Sequence, residues 1–174
     1  DFAPKMIRDV ATSPDGRTVV FHAVGHLWTK SLPNGAPQRL APNAAFAEYQ
    51  PSFSADGKKL LYTSWTDVDQ GAIHERDLGS GSDRVLTTAP GFYYSPRYSR
   101  DGRWIVWSKR SGTSLTGSLN SGETGIYVMP ASGGMPKRIA KEGVEPQFDA
   151  GGTRVYYLIG DGLKKKLMSV GLNG

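Results

Sequence analysis

The chain has 174 residues, with 21 Lys and Arg against 16 Asp and Glu, a net charge of +5 and no cysteine, which excludes disulfides and thiolate metal centres. Charges of both signs alternate along it, without the one-sided basic face or arm of a nucleic-acid binder. No stretch approaches the roughly 18 consecutive apolar residues of a membrane helix, and residues 1–5 are no signal peptide.

Taken in chain order, the elements repeat. Residues 7–13 read as a short strand that ends on the turn Ser13-Pro14-Asp15-Gly16; a second strand carries Val19 and Phe21, a third runs over 27–32, and a short fourth contains Arg39-Leu40. The same order returns with 49–54, the turn Ser54-Ala55-Asp56-Gly57, Leu60 and Tyr62, then 73–78 and 84–86. It returns again with 95–99, Ser99-Arg100-Asp101-Gly102, Ile105 and Trp107, then 126–129 and 138–139. In the last copy, 145–149 leads into Asp149-Ala150-Gly151-Gly152, Val155 and Tyr157, then 167–170, and the chain stops before a fourth strand.

The turn glycines lie 41, 45 and 50 residues apart, a spacing that fits propeller blades of roughly 40 to 45 residues with loop insertions. After each turn an aliphatic and an aromatic two places apart share one face of a strand. The intervening Val20, Leu61, Val106 and Tyr156 are apolar too, so both faces are covered, as stacked blades require. Asp-Gly in the turns supplies a residue that tolerates a left-handed backbone followed by one for which it costs nothing. Pro51, Pro96 and Pro146 each stand six residues before a turn glycine, a placement suited to the start of a strand, where no ladder donor is lost. The expectation is an all-β partial β-propeller of about four blades of four-stranded antiparallel sheet, at 6–41, 47–88, 92–140 and 143–174, the last incomplete.

The blade wording resembles the TolB-like propeller repeat, through Pro51-Ser52-Phe53-Ser54-Ala55-Asp56-Gly57, Pro96-Arg97-Tyr98-Ser99-Arg100-Asp101-Gly102 and Ile126-Tyr127-Val128-Met129. That resemblance implies a ring of six or more blades, of which this chain is a segment, and a periplasmic or secreted setting. It implies a noncatalytic scaffold for a protein or peptide partner, or the accessory propeller of an amidohydrolase-type or prolyl-oligopeptidase-type hydrolase whose catalytic domain lies outside this sequence. Gly25-His26-Leu27-Trp28 and Tyr49-Gln50-Pro51-Ser52-Phe53 are similar to the amidohydrolase-linked members. An open stack leaves two sheet faces without neighbours, so the segment is expected to self-associate or to be completed by further blades.

Asp9, Gln50, Ser95 and Glu145 share one position, seven residues before each turn glycine, and are polar in every copy. On the innermost strand they form either a ligand or peptide surface at the channel mouth or a plain polar cap over a solvent-filled channel. Trp65 is the aromatic most suited to a partner surface, with blade-edge packing as the alternative. Asp67-Val68-Asp69-Gln70-Gly71 starts like a calcium loop but has Leu78 where the twelfth position needs a Glu, so it reads as a turn. His22, His26 and His74 have no recognisable zinc spacing. Lys164-Lys165-Lys166 reads as a solvated loop. Residues 111–125 form a Ser-, Gly- and Thr-rich insertion, read as a mobile loop that is tolerated or that touches a partner. With no nucleophile elbow, phosphate loop or zincin helix, no catalytic residue, metal or cofactor is expected.

Overall fold

A computed structural model describes residues 6–42, 44–112, 122–160, 162 and 164–174. Most of the insertion at 111–125 lies outside the described residues. Fifteen strands follow in order: β1 (Arg8–Thr12), β2 (Thr18–Ala23), β3 (His26–Ser31), β4 (Gln38–Arg39), β5 (Ala47–Phe53), β6 (Lys59–Thr66), β7 (Gln70–Asp77), β8 (Asp83–Val85), β9 (Phe92–Tyr98), β10 (Trp104–Arg110), β11 (Gly125–Pro130), β12 (Lys137–Ala140), β13 (Val144–Phe148), β14 (Arg154–Ile159) and β15 (Lys166–Gly171). They form three four-stranded antiparallel meanders, β1–β4, β5–β8 and β9–β12, and a three-stranded one, β13–β15. The first strand of each sheet packs on the first strand of the next. This is a partial β-propeller with β1, β5, β9 and β13 innermost.

The turns work differently from the Asp-Gly expectation. Gly16, Gly57, Gly102 and Gly152 are left-handed, with φ between 67° and 71°, but the preceding Asp15, Asp56 and Asp101 are not. Those aspartates act through hydrogen bonds instead. Asp15 Oδ1 accepts from Ser13 Oγ at 2.6 Å and from the Arg17 amide at 3.0 Å, while Ser13 Oγ accepts from the Thr18 amide at 2.9 Å. The same closed set recurs at Ser54 and Asp56, and again at Ser99 and Asp101. In the fourth turn one carboxylate replaces the pair: Asp149 Oδ1 accepts both the Thr153 amide at 2.7 Å and the Arg154 amide at 3.0 Å. The degenerate fourth copy therefore keeps its turn by different chemistry at the same backbone donors.

Three apolar seams hold the sheets together. Val20 and Leu27 of the first sheet meet Leu60 and Tyr62 of the second; Leu61 and Ile73 meet Ile105 and Trp107; Val106, Ile126 and Val128 meet Val155 and Tyr157. Each sheet thus shows its aliphatic-aromatic pair to the preceding sheet and the intervening apolar residue to the following one, which is why the period-two strand is apolar at every place. Among the described residues no sheet follows the fourth. Leu27, Ile73 and Ile126 are each 0% exposed, whereas the equivalent Leu167 is 68% exposed; Tyr156, standing where Leu61 and Val106 are also 0% exposed, is 41% exposed.

Candidate functional site

The inner strands carry a shared irregularity. The ladder skips two residues between Arg8 and Ala11, Tyr49 and Ser52, Tyr94 and Arg97, and Val144 and Gln147. The first skipped residue is in each case the polar one aligned by the repeat: Asp9, Gln50, Ser95 and Glu145, with φ of 48°, 54°, 53° and 53°. Left-handed backbone at a residue with a Cβ costs roughly 1–2 kcal/mol, and it recurs here in all four copies. In three of them the second skipped residue is Pro51, Pro96 or Pro146. These prolines therefore lie in mid-strand bulges and not at strand starts, and the missing amide costs nothing because the ladder makes no bond there.

The bulges are linked from sheet to sheet. Asp9 Oδ2 accepts the Gln50 amide at 3.3 Å, and Gln50 Oε1 accepts the Ser95 amide at 2.6 Å. Glu145 accepts from Lys165 Nζ at 3.3 Å. Position by position, then, the register brings the four residues onto one inner ring, and two of them clasp the backbone of the following sheet.

Asp9 and Gln50 also line a cleft of about 350 Å3 together with Tyr49, Trp65, Phe92 and Tyr94. The Trp65 and Phe92 rings stack at 4.4 Å and 5°, and Trp65 Nε1 donates to Asp67 Oδ1 at 3.2 Å. Arg110 lies 4.7 Å over the Tyr94 ring. The structure brings Trp65 to the same place as Asp9 and Gln50; Ser95 and Glu145 do not line this cleft. Residues 67–69 form a turn in which Thr66 Oγ1 accepts the Asp69 amide at 2.8 Å, and Gln70, which opens β7, is left-handed.

The three histidines are separated by role. His22 packs on Tyr49 at 4.9 Å. His26 stands 3.6 Å from Glu48, a fully buried carboxylate that accepts the Leu27 amide at 3.0 Å and has Arg39 at 3.8 Å. Burial pushes the Glu48 pKa up, and Glu48 Oε1 is left without a hydrogen-bond partner. Among the described residues, no group of three His, Cys, Asp or Glu side chains is placed to hold a metal.

His74 belongs to a network that sequence reasoning missed. Its Nε2 is 2.9 Å from Ser64 Oγ and its Nδ1 is 3.0 Å from Asp83 Oδ1, while Tyr62 Oη donates to Asp83 Oδ2 at 2.6 Å. The connectivity is that of a nucleophilic triad, but the surroundings are not. Ser64 is buried in the middle of β6, which is paired along both edges by β5 and β7, so the backbone donors that an oxyanion hole needs are committed to the sheet. Burial works to raise the Asp83 pKa, and the hydrogen bonds from His74 and Tyr62 outweigh it, holding that carboxyl below its ordinary range. The network ties β8 to the middle of its sheet.

No family model matches the chain. The Tol-Pal system protein TolB of Rickettsia massiliae (strain Mtu5) is 31% identical over 75 residues, 43% of this chain and 17% of that protein. The crystal structure of TolB from Acinetobacter baumannii superposes with a TM-score of 0.71 at 21% identity, covering 97% of this chain and 41% of that one. This chain has a TolB-like propeller fold. The TolB-like fold it shows is shared with enzymes: a prolyl endopeptidase structure superposes with a TM-score of 0.66 at 14% identity over 97% of this chain and 28% of the endopeptidase. The chain thus spans less than half the length of each of these three proteins.

Proposed function

We propose that the chain is a noncatalytic segment of a larger periplasmic or secreted TolB-like propeller that binds a protein or peptide at the mouth of its axial channel. The observation that carries this reading is the cleft where Asp9, Gln50 and Trp65 meet. Flat aromatic walls supply large contact area at little conformational cost, and the polar residues at the floor orient what enters. The name of the Rickettsia relative, a Tol-Pal system protein, favours a protein partner in the same way.

The test is an array of immobilised synthetic peptides, each present with a free and an amidated C-terminus, probed with the chain and with Trp65→Ala. Capture by the parent with about a tenfold or greater loss in the variant is expected, the size of a single aromatic anchor. Capture of nothing, or equal capture by both, removes the reading. A second reading is favoured by the prolyl endopeptidase superposition: the accessory propeller of a hydrolase, amidohydrolase-type or prolyl-oligopeptidase-type, with the catalytic domain elsewhere in the polypeptide.

The uncovered face of the fourth sheet adds a proposal of its own: that the chain self-associates through Leu167 and Tyr156. Sedimentation velocity is expected to show assemblies that Leu167→Glu disperses, because a charge at the centre of an apolar contact is costly to bury. A monomer at all concentrations for the parent chain ends this proposal.

A further inference from the structure

The residue two places beyond each left-handed bulge is Ala11 on β1, Ser52 on β5, Arg97 on β9 and Gln147 on β13, equivalent through their pairing with Val20, Leu61, Val106 and Tyr156. Three of the four are uncharged, so sheet packing at this position does not call for a cation. Arg97 is half-buried on the inner strand, and its Nη1 donates to the carbonyl of its own neighbour, Pro96, at 3.1 Å. A guanidinium carries five N–H donors, and among the described residues no carboxylate lies within 4.0 Å of this one. Burial pushes the Arg97 pKa down, and the more distant Asp9 charge partly offsets that. Tyr94, which lines the aromatic cleft, stands three residues before Arg97 on β9, so one inner strand carries both the cation and a wall of the cleft.

We propose that Arg97 is the anchor of an anion site in the axial channel, and that it holds a carboxylate of the peptide whose apolar part fills the Trp65 cleft. A half-buried guanidinium whose one acceptor is the Pro96 carbonyl keeps donors to spare, and a carboxylate matches its fork with two parallel hydrogen bonds. This inference rests on the channel-mouth reading and narrows it to acidic peptides. The carboxylate comes from an Asp or Glu side chain or from the chain end, and the two are told apart by the free and amidated members of the array.

On that array, captured peptides are expected to depend on an acidic residue, or on a free C-terminus where the chain end is the ligand. Arg97→Gln is expected to weaken them about 10- to 100-fold, the range for losing a hydrogen-bonded charge pair. Arg97→Lys recovers part of the loss, since it restores the charge without the fork. Peptides captured without any acidic dependence, and bound equally by Arg97→Gln, overturn the Arg97 assignment while leaving the channel-mouth reading intact. Should Arg97→Gln fail to melt cooperatively, a titration of the parent chain with glutarate decides. A saturating shift of the Arg97 Nε–H resonance, absent with chloride at equal ionic strength, supports the site, and no shift overturns it.

Discussion

Trp107→Ala is expected to cost about 3–5 kcal/mol, the range for deleting a buried tryptophan, and so to consume a large part of the roughly 5–15 kcal/mol that holds a domain folded. Trp107 is 1% exposed at the centre of the seam between the second and third sheets, against Leu61, Ile73 and Tyr93, with its ring 6.0 Å from Tyr127 in a near-parallel stack. Nothing nearby is placed to refill that volume, because the seam is built from strands fixed by ladders on both sides. Its Nε1 has no hydrogen-bond partner, which separates two contributions. Trp107→Phe loses part of the packing but also removes a buried, unpaired N–H whose desolvation is itself unfavourable, so the phenylalanine variant is expected to lie far closer to the parent. Urea midpoints for the three proteins measure both effects. An alanine variant within 1 kcal/mol of the parent would show that the seam is not the unit of stability described here.

Glu75→Gln is the second large effect, and it carries a pH signature. Glu75 on β7 is buried and accepts Lys59 Nζ at 3.0 Å, Arg84 Nη2 at 2.8 Å and Tyr98 Oη at 2.6 Å. Arg84 continues to the Ala131 carbonyl at 2.8 Å, so this one carboxylate joins the second sheet to the third from both ends. Glutamine can keep its carbonyl oxygen on Lys59 and Arg84 and turn its NH2 toward Tyr98 Oη, but it leaves both cations without their counter-charge and removes the acceptor of the Tyr98 hydroxyl, and the expected loss at neutral pH is about 2–3 kcal/mol. Burial alone would raise the Glu75 pKa; the Tyr98 and Lys59 hydrogen bonds and the Arg84 charge outweigh it and hold the pKa below its ordinary value. A folded-state pKa below the unfolded one means the contribution is complete above the unfolded value and is lost as the pH falls through the folded one. The gap in stability between parent and variant is therefore expected to close on acidification from about pH 7 to about pH 3. The lowered turn aspartates, Asp15, Asp56, Asp101 and Asp149, are common to both proteins and cancel in that difference. A gap that stays constant with pH would mean the carboxylate is not ionised in the seam.

The parts of the site differ in how far the residues alone disclose them. Counting back from the turn glycines aligns Asp9, Gln50, Ser95 and Glu145 as equivalent, because repeat register is a one-dimensional property. That these residues are left-handed, and that Asp9 and Gln50 reach the next sheet's backbone, depends on the bulge geometry and on the distance between sheets. Arg97 offered a signal that went unread: it is the one charged residue at a place otherwise filled by Ala11, Ser52 and Gln147. The Ser64–His74–Asp83 network offered none, since its members come from three strands and no short spacing joins them.

What the sequence determined by itself is the unit: a glycine turn followed by a strand apolar on both faces, written four times, with Ser and Asp closing the turn in three copies and Asp149 alone in the fourth. Those features are local, set by backbone donors a few residues away and by the period-two geometry of a strand, and they leave a sheet no stable option except to be covered on each side. Which side chains meet across the seams, which bulge clasps which amide, and where a tryptophan on β6 comes to face a phenylalanine on β9 were decided only by the stacking of whole sheets. Contacts between residues 40 or more apart depend on the twist and spacing of neighbouring blades, quantities that exist only once the blades have packed.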